Sequence, residues 1–204
     1  MSEHVAATVS GRPVLVSEVD LRETRLRATI LAAALPRAGT SEGRQLRRWL
    51  TQLLVTEQVV AAEAAVRGLT ADGAPTEDEL LPDVAARLEI GSVAASALED
   101  SMGRALYAHV TAGIQISDAE VEDYHARNPF RFATPTTTTG GWHHPATAPA
   151  LGDVWAAITK NLLAAARRRS FRMWLDARRA ELVELAPGYE HPGDPRQPDN
   201  THKH

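Results

Sequence analysis

From Leu151 to Leu185 the chain reads LGDVWAAITKNLLAAARRRSFRMWLDARRAELVEL, without proline and with glycine only at its second position. Ala, Leu, Arg and Glu, which favour helix, dominate it. At ~1.5 Å per residue the run predicts a rod of roughly 50 Å. Trp155, Ile158, Leu162, Ala166 and Met173 share one side at helical spacing, and Phe171, Trp174, Leu182 and Leu185 lie on a side about half a turn away. An apolar stripe that migrates in this way predicts different packing partners at the two ends, or a kink between them. A helix of this length constrains the remainder of the 204 residues to pack around it.

Upstream, Val5, Val9, Val14 and Val16 surround the turn signal Ser10-Gly11, which predicts a short hairpin over residues 5–16. Ser17 and Asp20 take the positions of a capping box, opening a helix to about Leu35 that Pro36 and Gly39 end. Ser41 is the expected cap of a second helix, running to Arg67 and stopped by Gly68. Its apolar stripe is Leu46, Trp49, Leu50, Leu53, Val60 and Ala64, with Glu57 near the centre. A carboxylate there must be paired or its pKa must rise. Pairing with an arginine of a neighbouring helix is the simpler reading, and a general base in a crevice is the other. Thr76/Glu79 and Ser117/Glu120 are further capping boxes. Gly91-Ser92 starts a helix expected to reach Val110 with Leu98, Met102, Leu106 and Val110 on its buried face.

The expected organisation is a hairpin and helical region over 1–132, a Thr/Gly/Pro-rich loop over 133–150, and the long helix over 151–186 completing the same domain. An irregular His/Pro-rich tail follows over 187–204. The fold class is mostly α, with the long helix packing back on the first helices. Aromatic content of only 5% implies close packing through alanine. A net charge of −4 argues against generic nucleic-acid binding, and Arg167–Arg169 reads as a solvated helix face. There is no cysteine, hence no disulfide or thiolate metal site. No apolar run is long enough for a membrane span, and the N-terminus does not read as a secretory signal, so the expected location is cytoplasmic.

Several stretches together carry a resemblance: V-S-G-R-P-V-L-V-S-E-V-D (Val9 to Asp20), L-T-Q-L-L-V-T-E (Leu50 to Glu57), E-A-A-V-R-G-L (Glu63 to Leu69), I-S-D-A-E-V-E-D-Y-H-A-R-N-P-F-R-F (Ile116 to Phe132) and R-R-R-S-F-R-M-W-L-D-A-R-R (Arg167 to Arg179). In this order they resemble the SurA-like chaperone module that surrounds parvulin-type peptidyl-prolyl isomerase domains, over most of residues 5–185. The resemblance implies that the first strand pairs with a strand after the last helix, near Glu184-Leu185. It also implies an isomerase domain of about a hundred residues after the Phe132 position. Residues 133–150 leave no room for one, so no prolyl isomerase activity is expected.

Two functional readings follow. The first is a binding module for a peptide, a protein or a small apolar ligand, with neither nucleic acid nor membrane as partner and with a homodimer as a candidate assembly. The second is a small-molecule enzyme of specialised metabolism. His143, His144, His191, His202 and His204 fall in segments without helical pattern and are candidate ligands for a divalent transition metal. His143, His144, Glu57 and Tyr107 are the candidate catalytic groups, and Trp142, Trp155 and Tyr189 the candidate ligand contacts. Elbow, P-loop, dinucleotide and H-E-x-x-H patterns are absent from the sequence.

Overall fold

The computed structural model describes residues 4–133 and 148–192. The chain is mostly helical and opens on a hairpin of β1 (Val5–Val9) and β2 (Arg12–Leu15). Ser10 and Gly11 both have positive φ, 50° and 78°. That is the two-residue turn whose twist matches a right-twisted ribbon. Val9 and Val14 face the core, and a register shift between Val5 and Ala7 lets Ala6 and Ala7 both be buried. A third strand, β3 (Val183–Leu185), pairs antiparallel with β1, placing Ala7 opposite Leu185 and Val9 opposite Val183. The strand order is β2-β1-β3, so the first described strand is held between its hairpin partner and the last.

Helix α1 (Val16–Arg27) follows β2 without a loop. Its cap is Leu15 rather than Ser17: the Leu15 N–H donates to Glu18 Oε2 at 2.6 Å, while Asp20 pairs with Arg47 instead. The helix also stops at Arg27, short of Leu35. Thr29 Oγ1 donates to the Leu26 carbonyl and accepts from the Leu31 N–H, so a side chain replaces the helical ladder there. Arg27 Nη2 then holds the Pro36 carbonyl at 2.7 Å, and only a 3-10 turn over Ala32–Ala34 remains of the expected extension.

Helix α2 (Ser41–Val66) is the central element. Thr40, not Ser41, caps it, accepting from the Gly43 N–H at 3.1 Å. It packs against β1 and α1 and, further along the chain, against α5 (Ser92–Ala97), α6 (Ser101–Thr111) and α8 (Leu151–Leu182). Being covered on several sides, it buries a wide arc that takes in Gln52, Thr56, Val59 and Glu63 along with Leu50, Leu53, Val60 and Ala64. Leu46 and Trp49 are half-buried, and Glu57 lies at the edge of the arc, exposed. The expectation of Glu57 at the centre of a buried stripe fails because the true centre is partly polar.

The expected helix from Ser92 to Val110 is two. The chain breaks over Leu98–Glu99, and Asp100 caps α6 by accepting from the Met102 N–H at 2.8 Å. Arg104 satisfies two carbonyls this break exposes, bonding Leu98 O and Glu99 O, and its Nε also bonds Pro75 O ahead of Glu77. The fold of α6 onto α5 is so tight that a Cβ on Gly103 would sit 1.8 Å from the Ala97 carbonyl oxygen. Both other predicted capping boxes form, at Thr76/Glu79 ahead of α3 (Glu77–Leu80) and at Ser117/Glu120 ahead of α7 (Asp118–Arg127). Helix α4 (Val84–Ile90) lies between α3 and α5.

The two ends of α8 do have different partners. Val154 and Ile158 pack with Val121 of α7 in a small cluster of their own. Phe171 and Leu175 enter the main core, where Phe171 meets Tyr107 at 5.1 Å between ring centroids and stacks on Trp174. Met173 is exposed, against the expected stripe, because the helix face toward α2 and α6 is already filled by Phe171 and Leu175. The helix ends at Leu182, three residues early, where the backbone extends into β3.

Ion pairs tie these helices at their seams. Glu63 of α2 is only 4% exposed and receives Arg67 of its own helix and Arg178 of α8, the latter at 2.7 Å. Glu23 of α1 receives Arg27 and Arg47. Arg168 pairs with Glu89 at 2.7 Å and is buried, so the expected solvated face at Arg167–Arg169 is interrupted at its middle residue. Burial works to raise the pKa of Glu63, but hydrogen bonds from Arg178 and Arg67 outweigh it and hold the carboxyl below the ordinary range. A depressed folded-state pKa contributes stability above the unfolded-state value, which disappears as pH falls through the folded-state value.

Two outcomes follow. Gly103→Ala will lower unfolding free energy by about 2 kcal/mol in a urea titration, because the clash is with backbone. Glu63→Gln will cost about 3 kcal/mol at neutral pH by leaving two arginines without their shared carboxylate. The cost will shrink as pH falls through the acid range where wild-type Glu63 itself protonates, read by urea titrations at stepped pH.

Candidate functional site

Among the described residues a groove of about 1020 Å³ lies between the α3–α4 segment and the N-terminal half of α8. Its wall on α8 carries Ala157, Ala164 and Ala165 with Lys160 and Asn161 between them, and Ala85 and Ala86 answer from α4. Spacings of seven and eight residues put the α8 alanines on one helix face. Charge sits at the edges with both signs: Asp78, Glu79 and Asp83 on the α3–α4 side, Lys160 and Arg131 on the other. Several of these carboxylates already have backbone duties. Glu79 closes the capping box and Asp83 Oδ1 accepts from the Ala86 N–H at 2.8 Å. The Arg168–Glu89 pair closes the groove at the end nearer the main core. A wall of alanines admits an incoming backbone closely, and the mixed rim supplies donors and acceptors without favouring one net charge.

Val84 and Leu88, one turn apart on α4, are 71% and 76% exposed, on a face of the helix turned away from the groove-lining Ala85, Ala86 and Glu89. Alanine periodicity on the long helix is the signal in the sequence that points to the groove.

A second cleft, of about 520 Å³, lies among α1, α2, α5 and α6. Glu57 lines it and accepts a hydrogen bond from Arg22 at 2.8 Å. Glu57 therefore takes the simpler of its two readings, an ion pair with a neighbouring helix. Tyr107 does not line this cleft. It is 3% exposed, wedged against Phe171, and burial pushes its hydroxyl pKa up. Glu57 and Tyr107 thus do not share a pocket. The reason is that α6 turns Tyr107 into the core toward α8, while Glu57 stays at the margin of α2.

The remaining candidates separate as well. His191 lies at a small cavity beside Arg172 and Arg179. Trp142, His143, His144, His202 and His204 lie outside the described residues. Among the described residues no three His, Asp or Glu side chains gather as a metal-ligating group. Trp155 is half-buried in the α7–α8 cluster and Tyr189 packs on Val19, Leu50 and Leu53 while hydrogen-bonding Arg47. Both brace the fold, and neither lines the groove. Tyr189 does act as an anchor for the chain after β3, together with the Arg48 Nε bond to the Gly188 carbonyl at 3.1 Å.

Residues 5–42 match a family of unknown function, DUF7158. The match spans β1, β2, α1 and the start of α2. No curated protein and no solved structure matches the chain. No helix among the described residues is long and apolar enough to cross a membrane.

Because the Glu57–Arg22 pair is nearly half exposed on both sides, Glu57→Gln will change stability by less than ~1 kcal/mol. A thermal melt with a small shift, set beside the loss expected of Glu63→Gln, distinguishes the surface pair from the buried one.

Proposed function

We propose that this protein is a SurA-like binding module for extended peptide or unfolded protein segments, acting without prolyl isomerase activity. The groove between α4 and α8 carries the reading. Both walls carry alanines, charged and polar residues of both signs lie among and beside them, and its volume of about 1020 Å³ lies at the upper end of the range for a binding site.

Two further features support the reading. The chain after the long helix returns to pair with the first strand, which keeps the walls of the groove in one body. The interval between Phe132 and Leu151 is too brief in sequence for a domain of about a hundred residues. A groove that reads main chain and small apolar side chains binds by shape and hydrogen bonding, so broad preference with modest affinity is the expected behaviour.

Fluorescence anisotropy with a panel of labelled unstructured peptides tests this. Saturable binding by several unrelated peptides is expected, and Ala157→Trp, which fills the groove from an exposed position, will weaken it tenfold or more with the melting temperature nearly unchanged. A proline-containing tetrapeptide substrate will isomerise at its uncatalysed rate. Failure of every peptide to bind at high micromolar protein, or full retention of binding in the tryptophan variant, would remove the proposal.

A further inference from the structure

The connection between α1 and α2 sets a run of apolar side chains outside the body of the protein. Ala28, Ile30, Leu31, Ala32, Ala33 and Ala34 are all exposed, with Thr29 among them. Ile30 is 99% exposed and Leu31 53%, and neither joins an apolar cluster of the core. Single exposed apolar residues are ordinary. Six within seven consecutive positions form a contiguous patch, of the kind that marks an interaction surface. The loop is also braced. Arg27 bonds Glu23 through Nε at 2.8 Å and the Pro36 carbonyl through Nη2 at 2.7 Å, so one side chain clamps both ends of the run. Arg44 Nη1 holds the Gly39 carbonyl at 3.2 Å. A loop fixed in this way gives up little freedom when it meets a partner.

The charge around the run is one-sided. Between Glu23 and Glu42 the sequence has three arginines and no acid, although the whole chain carries −4. Arg27 serves the clamp. Arg25 and Arg37 flank the apolar run, exposed and without an ion pair among the described residues. The nearby carboxylates are engaged: Asp20 by Arg47, Glu23 by Arg27 and Arg47, and Glu42 by the first turn of α2. Charges more than about 8 Å away are largely screened at physiological salt, so a surface against this loop meets a cationic rim, not the acidic whole.

The occupant must suit a short apolar tip with arginines on either side. A stable protein interface takes roughly 20–30 residues a side, and this run has few large side chains to interlock. None of its residues lines either of the two larger clefts described above. A bilayer needs no complementary shape: it takes apolar side chains between its headgroups, and arginines beside them reach lipid phosphate. We propose that the α1–α2 loop is a membrane-surface contact, in which Ile30 and Leu31 enter the interfacial layer of a bilayer carrying anionic lipid and Arg25 and Arg37 meet its headgroups. The run is far shorter than the ~20 residues a span requires, so the loop lies on the bilayer without crossing it. One small apolar insertion binds weakly and reversibly, and the arginines supply the second attraction. The loop shares no residue with the groove between α4 and α8, so this contact and peptide capture stand or fall independently.

Co-sedimentation of the full chain with vesicles tests the contact. Vesicles of phosphatidylcholine and phosphatidylserine in equal parts are set against phosphatidylcholine alone. Binding to the mixed vesicles that declines with added salt is expected, with little binding to the neutral ones. Ile30→Ser combined with Leu31→Ser will weaken it at least about tenfold. The melting temperature will hold, since both side chains are exposed. Arg25→Gln and Arg37→Gln will each weaken it about fivefold. In Ile30→Trp the emission of the added indole will shift to the blue when mixed vesicles are added. Absence of binding to the mixed vesicles, or full binding by the double serine variant, overturns the proposal. Self-association that the double serine variant abolishes, without vesicle binding by the wild type, overturns it too and assigns the patch to a second copy of the chain.

Discussion

The pairing of β3 with β1 is the constraint from which the architecture follows. Three residues at the end of α8 cross back to the first strand, so the long helix is fixed at its C-terminal end by backbone hydrogen bonds as well as by side chains. Ala6 extends the ladder by accepting from the Ala186 N–H, and Arg48 then holds Gly188. With that end pinned, Phe171 and Leu175 are delivered against Tyr107 and the α2 face, and the opposite end of α8 is left to α7. A helix of 32 residues cannot be buried along its whole length in a body this size, and it is not. Its N-terminal half rests on one partner and presents alanines to the groove.

Helix–helix seams here are closed by arginine and carboxylate to an unusual degree for so few aromatic residues. Glu23 joins α1 to α2, Glu63 joins α2 to α8, and Glu89 joins α4 to α8. Each carboxylate is partly or fully withdrawn from water and is met by at least one guanidinium. Such pairs contribute less net stability than apolar packing of the same volume, because both charges are desolvated. Their effect is to specify: a register slip of one residue along α8 would leave Glu63 buried without Arg178. Alanine-rich interfaces, which have little shape to interlock, gain a fixed alignment in this way.

The proposed binding role draws on the same economy of side chains. Alanines that let α4 and α8 approach each other at one level leave an open trough at the next, where no large residue fills the gap. The charged residues on its margins are largely committed to capping and pairing, so the trough has polar edges without a concentrated charge. An extended chain can be accommodated there by its backbone.

What the residues determined by themselves is local. Two capping boxes, the Ser10-Gly11 turn, the helix stop at Gly68 and the migrating stripe of the long helix were all legible, since each depends on neighbours within a turn or two. Tertiary structure decided where local signals were ambiguous or silent. The extension past Arg27 gave way to a Thr29 side-chain bond and to the grip of Arg27 on Pro36. The helix expected over 92–110 broke because Arg104 reached back to bond the carbonyls that the break exposes. Glu57 read as the acid on the apolar side of the second helix; only the surroundings of α2, wrapped by α6 and α8 toward its C-terminal end, made Glu63 the buried one instead. The alanine-bearing groove was hidden for the same reason. It is assembled from residues on separate helices, and their meeting depends on how far α8 is drawn back along the rest of the fold, a distance that hydropathy and spacing do not encode.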